Sequence, residues 1–312
     1  MAQSQSLRRI RRQLTGYVPD FATASSEDDL SWYLIVFPKV LLFSVVLLVP
    51  FVGAFWISLH QWEPLATQHP FVGLDNYVAL FRDPIFWDAL VNTAGYSLAL
   101  IAIDVPIALG LALLLNMNLR GTKFYSAAIF LPVVTSWVVV SLIWSWLYNP
   151  QYGLINAALG TVGLPQPDWL QSSKTALASI ALMSIWKHVG FNMVIFLAGL
   201  KGIPDDFYEA AIIDGANRWQ RFRYITLPLL KPTSFFVVVV TLIFSFRLYT
   251  QVYVMTQGGP VHSTYSIVFY FWEQGFQQFN MGYASAIAVV LFLIVFGLSI
   301  VQQRTWGDTV EY

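Results

Sequence analysis

Apolar and polar positions alternate along this chain in long blocks. Six blocks are apolar over lengths that let a helix cross roughly 30 Å of hydrocarbon. They fall at about 33–59, 89–115, 124–148, 175–200, 233–255 and 281–302. Pro38, Pro50, Pro106 and Pro132 lie inside or at the ends of these blocks, a placement membrane helices tolerate where neighbours re-satisfy the freed backbone groups. The pattern predicts an all-α polytopic membrane protein with six transmembrane helices, a tail over 1–31, a membrane domain over 32–304 and a second tail over 305–312.

The polar interruption at 201–232 has a shape of its own. Pro204-Asp205-Asp206 suits a first helical turn, and Tyr208 to Asp214 reads as a short helix that Gly215 ends. Arg218 to Leu227 reads as a second short helix, after which Pro228 and Pro232 mark the return into the membrane. This helix–bend–helix is too short and too polar to span a bilayer, and it suits a solvent-exposed docking element. The segments 60–88, 149–174 and 256–280 are rich in Pro, Gly and aromatics. They read as compact caps with short helices, such as Asp75 to Phe81, and serve either as a docking surface or as connectors.

Basic residues set the orientation. With the N-terminus inside, the inner side holds Arg8, Arg9, Arg11, Arg12, Arg120, Lys123, Lys201, Arg218, Arg221, Arg223, Lys231 and Arg304, whereas the outer side holds only Arg82 and Lys174. Both termini and the 201–232 loop are therefore expected in the cytoplasm. No apolar run follows the first arginines as a secretory signal would require. The first 31 residues read as a cytoplasmic tail, or as a basic segment lying on anionic lipid.

Asp104, Lys187 and Arg247 fall inside predicted spans, where each costs roughly 2.5–3.5 kcal/mol or more unless paired or wetted. Charge balance makes Asp104 a candidate partner for Lys187 or Arg247. Arg247, expected about two-thirds of the way across the fifth span, shares a helical face with Thr250 and Gln251, with Tyr249 and Tyr253 nearby. That stripe suits a polar pathway, or an arginine snorkelling to headgroups. Ser184, His188 and Asn192 recur every four residues on the fourth span, and Trp137, Ser141 and Ser145 do so on the third. These are either further pathway walls or polar contacts between helices.

Composition removes other chemistries. Of 312 residues, 57% are hydrophobic and only 11% charged, less than half the usual charged share of soluble domains. The net charge of zero argues against nucleic acid as a partner. With no Cys there is no disulfide or thiolate chemistry, and the four His, at 60, 69, 188 and 262, form no ligand spacing for a metal. No Gly-x-x-x-x-Gly-Lys-Ser/Thr loop is present, so a nucleotide-driven process would take its nucleotide site from another subunit. The 12 Trp, 15 Tyr and 24 Phe suit both interfacial anchoring and stacking on sugar faces.

Residues 209–232 read EAAIIDGANRWQRFRYITLPLLKP. This resembles the EAA motif of permease subunits of binding-protein-dependent ABC importers: E-A-A, three residues, G, nine residues, then I-x-L-P. Asn76-Tyr77, the run from Phe86 to Thr93, Leu131-Pro132, the run from Tyr152 to Asn156, the run from Tyr253 to Pro260 and the run from Met281 to Ala286 extend the resemblance over roughly 33–304. They are similar to the carbohydrate-uptake branch that includes maltose and glycerol-phosphate permeases.

The resemblance implies a type I importer permease fold. It also implies a second homologous permease, two cytoplasmic ABC ATPase subunits that bind ATP and magnesium, an extracytoplasmic solute-binding protein, and a bacterial or archaeal cytoplasmic (inner) membrane. This chain would hold no cofactor or metal and would catalyse nothing itself. Glu209, Ala210, Ala211, Asp214, Gly215, Ala216, Arg218, Leu227 and Pro228 would form the contact with the ATPase. Asn192, His188, Ser184, Arg247, Tyr249, Thr250, Gln251, Tyr253, Ser141 and Asp104 are the expected solute pathway. The solute would be an oligosaccharide, polyol or glycerol-phosphate-like molecule. The alternative is an ion-coupled secondary transporter. Thr250 stands where the family often carries an acid, and the extra N-terminal spans and large outer domain of the maltose permease have no counterpart here.

Overall fold

A computed structural model of the protein describes residues 36–117 and 120–306. The expected tails, with Arg8, Arg9, Arg11 and Arg12, lie outside them apart from residues 305–306. The chain divides into two compact units, Met1–Gly53 and Ala54–Tyr312. Residues 36–53 of the first are helical, the opening part of α1 (Val36–Ser58). The second unit is all-α among the described residues, with one isolated bridge between His60 and Phe71.

After α1 come α2 (Asp75–Arg82), α3 (Pro84–Leu115), α4 (Thr122–Val134), α5 (Trp137–Leu147), α6 (Leu154–Thr161) and α7 (Ala176–Lys201). They are followed by α8 (Asp205–Ile213), α9 (Arg218–Leu229), α10 (Lys231–Ser245), α11 (Thr250–Met255), α12 (Ile267–Trp272) and α13 (Met281–Trp306). Among the described residues, four helices are long and apolar enough to cross a membrane: α1, α3, α7 and α13, the last over Met281–Arg304. The bent pairs α4–α5 and α9–α10 raise the number to six if each counts as one span.

Two of the predicted spans differ from a single helix. The segment 124–148 is bent by 98° between α4 and α5. Pro132 sits in the last turn of α4, and the backbone is extended at Thr135. The segment 233–255 is helical as α10 only to Ser245, opens at 246–249 and resumes as the short α11. Arg247 therefore lies in a break between helices, not along one. Conversely, α3 starts earlier than the apolar pattern, because the Asp83 carboxylate accepts a hydrogen bond from Ile85 N at 2.9 Å and Pro84 stands at the first helical position.

Helix α7 is the axis of the second unit and packs on α3, α4 and α10. Its sequence is small and polar on the contact faces, with Ser179, Ala181, Ser184, Gly190 and Asn192 buried, as suits helix pairs that approach closely in lipid. A Cβ at Gly190 would stand 2.3 Å from the carbonyl oxygen of Ile129 on α4. One apolar cluster joins Phe86, Tyr96, Ile180, Leu248, Ile267 and Ile287. Another joins Ala108, Ala112, Met193, Phe196, Leu230 and Val237. Much of the remaining apolar surface faces outward, as with Val138, Leu142 and Trp146 on α5, where lipid or a partner subunit replaces water.

Candidate functional site

The loop between α7 and α10 is a helix–turn–helix. Gly215, at φ +78°, ends α8, in a conformation that costs an L-residue about 1–2 kcal/mol. The turn is closed by Gly215 N to Ile212 O at 3.0 Å and Ala216 N to Ala211 O at 2.8 Å. Asn217 and Gln220 then cap α9 reciprocally, each side chain accepting from the other's backbone N–H at 2.8–2.9 Å. Tyr208 and Thr226 share a hydrogen bond of 3.0 Å that ties the two helices. Of the expected contact residues, Glu209, Ala210, Asp214, Gly215, Arg218 and Pro228 are exposed, and Ala211, Ala216 and Leu227 are half-buried. Sequence reasoning passed over the apolar side chains beside them: Ile212, Ile213 and Trp219 are 56%, 86% and 68% exposed. Three large apolar groups on a polar loop are a signal legible in the sequence, and they give the loop an adhesive face.

Lys187 has a partner other than the expected Asp104. Its ammonium donates to the carbonyls of Pro132 (2.8 Å), Val133 (3.1 Å) and Thr135 (2.7 Å). It also lies 4.7 Å from the centre of the Trp137 ring. The three carbonyls lie where α4 ends, Pro132 O also accepting from Thr135 N at 3.2 Å, so the lysine's three donors supplement the backbone bonds of the broken helix. Asp104, fully buried in a wide turn of α3, accepts instead from Asn192 Nδ2 at 2.5 Å and lies 3.3 Å from His188 Nδ1. Asn192 also donates to Thr241 Oγ1 of α10 at 2.9 Å. This cluster joins α3, α7 and α10. Arg247 has no ion pair among the described residues; its guanidinium carbon lies 6.0 Å from the Phe244 ring centre.

A cavity of about 230 Å³ opens beside the cluster. It is lined by Tyr96 and Leu100 of α3, Trp137 of α5, His188 of α7 and Phe244 of α10, together with Arg247, Thr250 and Gln251. A second cavity of about 220 Å³ adjoins it, sharing Trp137, His188 and Phe244 and adding Lys187. The break at 246–249 is what lets Arg247, Thr250 and Gln251 turn toward this space. Gln251 is only 6% exposed, and its amide finds no hydrogen-bond partner among the described residues. His188 Nδ1 is engaged by Asp104, which leaves Nε2 for the cavity.

The structure thus brings His188, Arg247, Thr250 and Gln251 of the expected pathway together. It buries Asp104, Ser141, Ser184 and Asn192, which are not part of that lining. Tyr249 and Tyr253 stack at 5.7 Å between ring centres and meet Trp272 at 5.5 and 5.0 Å, away from the cavity. Tyr96 was missed, although Tyr96, Leu100 and Asp104 recur every four residues.

A second carboxylate cluster, also absent from the sequence reading, joins the start of α3 to α12 and α13. Asp83 Oδ2 accepts from the phenols of Tyr270 and, at 2.6 Å, Tyr283. Burial alone would raise the Asp83 carboxyl, but these hydrogen bonds and those from Ile85 and Phe86 N–H hold it below the ordinary value. Nearby, burial and the Glu273 carboxylate push Tyr265 up to about 12.

Residues 104–306 match the family described as the binding-protein-dependent transport system inner membrane component. The chain belongs to this family. It is 37% identical over 276 residues to the probable ABC transporter permease protein YurN of Bacillus subtilis, covering 87% of this chain and 94% of that protein. It is 35% identical to the trehalose/maltose transport system permease protein MalF of Thermococcus litoralis (87% and 92% covered). Identity to the sn-glycerol-3-phosphate transport system permease protein UgpA of Yersinia pestis is 34% (90% and 96% covered). The fold matches, with a TM-score of 0.79 at 24% identity, a chain of a bacterial ABC transporter involved in import of the acidic polysaccharide alginate, covering 91% and 98% of the two chains. The family match begins at Asp104 and takes in the permease's exposed loop, the Lys187 bend and most of the cavity lining.

Proposed function

We propose that this permease moves a sugar or related polar solute into the cell, as one half of a pathway completed by a second homologous permease. Two cytoplasmic ATPase subunits drive it, and an extracytoplasmic binding protein delivers the solute. The observation that carries the reading is the exposed helix–turn–helix 205–229. Its backbone is fixed by Gly215 and the Asn217–Gln220 caps, yet it presents Ile212, Ile213 and Trp219 to the surroundings. A rigid element with an uncovered apolar face suits a mechanical contact. The excess of Lys and Arg on the loop's side of the membrane supports a cytoplasmic position for it and for both termini. The names of the trehalose/maltose and glycerol-3-phosphate relatives support the solute class.

ATP binding closes the ATPase pair and draws the two loops together. The helices rock, and the cavity turns from inward- to outward-facing to receive the solute. Hydrolysis and product release restore the inward state. Within this chain Trp137 offers a ring face, and His188 Nε2, Thr250 and Gln251 offer hydrogen bonds to hydroxyls.

The test is Gly215→Pro in the assembled complex. Proline holds φ near −65° and cannot adopt the +78° of this turn. Solute-stimulated ATP hydrolysis is expected to be lost while the chain still inserts in the membrane. Unchanged stimulation would sink the docking role. A stand-alone ion-coupled transporter, which the buried Asp104 would suit, predicts uptake that survives loss of the ATPase and stops when the ion gradient is collapsed.

A further inference from the structure

Charge in the cavity is one-sided. Arg247 is exposed to it, and no Asp or Glu lines it. The nearest carboxylate, Asp104, is fully buried and not part of the lining; its Oδ2 is engaged by His188 and Asn192, and its Oδ1 finds no partner among the described residues. Arg247 thus differs from Lys187, which the protein satisfies on its own. Within a membrane an arginine without a partner costs roughly 2.5–3.5 kcal/mol unless water or a counter-charge reaches it. Beside it stands the unpartnered, nearly buried amide of Gln251, a donor and acceptor aimed into the same space.

We infer that the cavity takes solutes that carry a carboxylate or phosphate group beside their hydroxyls, with Arg247 receiving the anionic oxygens. This rests on the reading of the chain as a solute permease and narrows it. The guanidinium presents paired N–H groups in a fixed fork that matches two oxygens of either anion. Thr250 and Gln251, three and four residues further on, reach hydroxyls on the same molecule, and the Trp137 ring lines the same cavity. A neutral sugar would exclude water from the guanidinium and give it no counter-charge; an acidic one supplies that charge at the moment water leaves.

The experiment uses the complete complex, with its partner permease, ATPases and cognate binding protein, in vesicles of phosphatidylcholine alone and of phosphatidylcholine with phosphatidylglycerol. Uptake and ATPase stimulation are measured with matched probes: glucuronate, glucose 6-phosphate and glycerol 3-phosphate against glucose, glycerol and maltose. Acidic probes are expected to be transported in both vesicle types. Arg247→Gln should lower the acidic-to-neutral ratio of kcat/KM at least about tenfold, the scale of one lost charge-assisted hydrogen bond, and Arg247→Lys should restore part of it. If neutral probes are preferred and Arg247→Gln leaves the ratio unmoved, the inference fails while the importer reading stands. An Arg247→Gln effect confined to vesicles with phosphatidylglycerol would assign the anion to a lipid headgroup and overturn the inference. If no probe of either kind stimulates the complex, the inference and the solute class proposed above fall together.

Discussion

Lys187 and Arg247 are both cations in the membrane part of the permease, and the chain treats them in opposite ways. Lys187 is 3% exposed, and each of its three donors meets a carbonyl at the end of α4. Arg247 is exposed at a helix break with an aromatic ring beneath it and no ion pair among the described residues. Lys187 reaches from the middle of α7 to the end of α4, and Arg247 stands in the break after α10, so each lies beside a helix end within a predicted span. The lysine binds the carbonyls at that end and fixes a bend. The arginine points a charge into a cavity. A charge consumed by its own chain is architecture, and one left over is available to something else.

The largest effect expected from this contrast is at Lys187. Lys187→Met keeps an unbranched side chain of nearly the same length but takes a donor from the half-buried carbonyls of Pro132, Val133 and Thr135. Pro132 O keeps Thr135 N, and a polar group left without its partner costs about 1–3 kcal/mol, so a loss of about 2 kcal/mol or more is expected in unfolding of the purified complex. Arg247→Met should shift the same measurement by only about 0.5 kcal/mol, as for surface changes in general. Equal shifts would erase the distinction.

The contrast also marks where the sequence was legible. Apolar length located the four helices long enough to cross a membrane, α1, α3, α7 and α13, because such a helix satisfies its backbone alone in lipid. The spacing from Glu209 to Pro228 located the turn at Gly215, because few residues adopt positive φ. The bend at 135–136 was not visible. Pro132 hinted at it, but the compensating donor comes from Lys187, more than fifty residues away, and no local pattern records that distance. For the same reason the sequence offered Asp104 as a partner on charge alone. In the structure, the dipoles at the end of α4 compete successfully for Lys187, and Asp104 takes neutral donors on α7. The break around Arg247 was hidden too, since Phe246, Leu248 and Tyr249 are as apolar or aromatic as the helix before them and no Gly or Pro marks its end.

A smaller change sharpens the same comparison without touching either cation. Gly190→Ala puts a Cβ against the Ile129 carbonyl at 2.3 Å, which forces α4 away from α7. Overpacking of this kind costs about 1–3 kcal/mol. Because α4 carries two of the carbonyls that Lys187 binds, the cost should not add to that of Lys187→Met. A double-mutant cycle is expected to show the two sites coupled by about 0.5 kcal/mol or more. Gly190→Ala combined with Arg247→Met should be additive. Coupling in both pairs, or in neither, would mean that α4 and α7 do not transmit strain through the lysine.

The smallest effect is expected at Asp83, a third charge, which tests the rule with the opposite sign. Like Lys187 it is consumed within the chain, by the phenols of Tyr270 and Tyr283 and the first turn of α3. Its folded carboxyl lies below the ordinary value near 3.8, so the unfolded chain binds its proton first as pH falls. The stability it contributes is therefore fully present above the ordinary carboxylate range and lost as pH drops toward and through the lowered folded value. The unfolding midpoint of the complex should be insensitive to this group from neutral pH to about 5 and decline below it. Asp83→Asn should start lower at neutral pH and decline less steeply. If Asp83→Asn and the parent lose stability in parallel on acidification, the carboxylate is not what joins α3 to α12 and α13, and the packing of Phe86, Ile267 and Ile287 holds that end of the permease by itself.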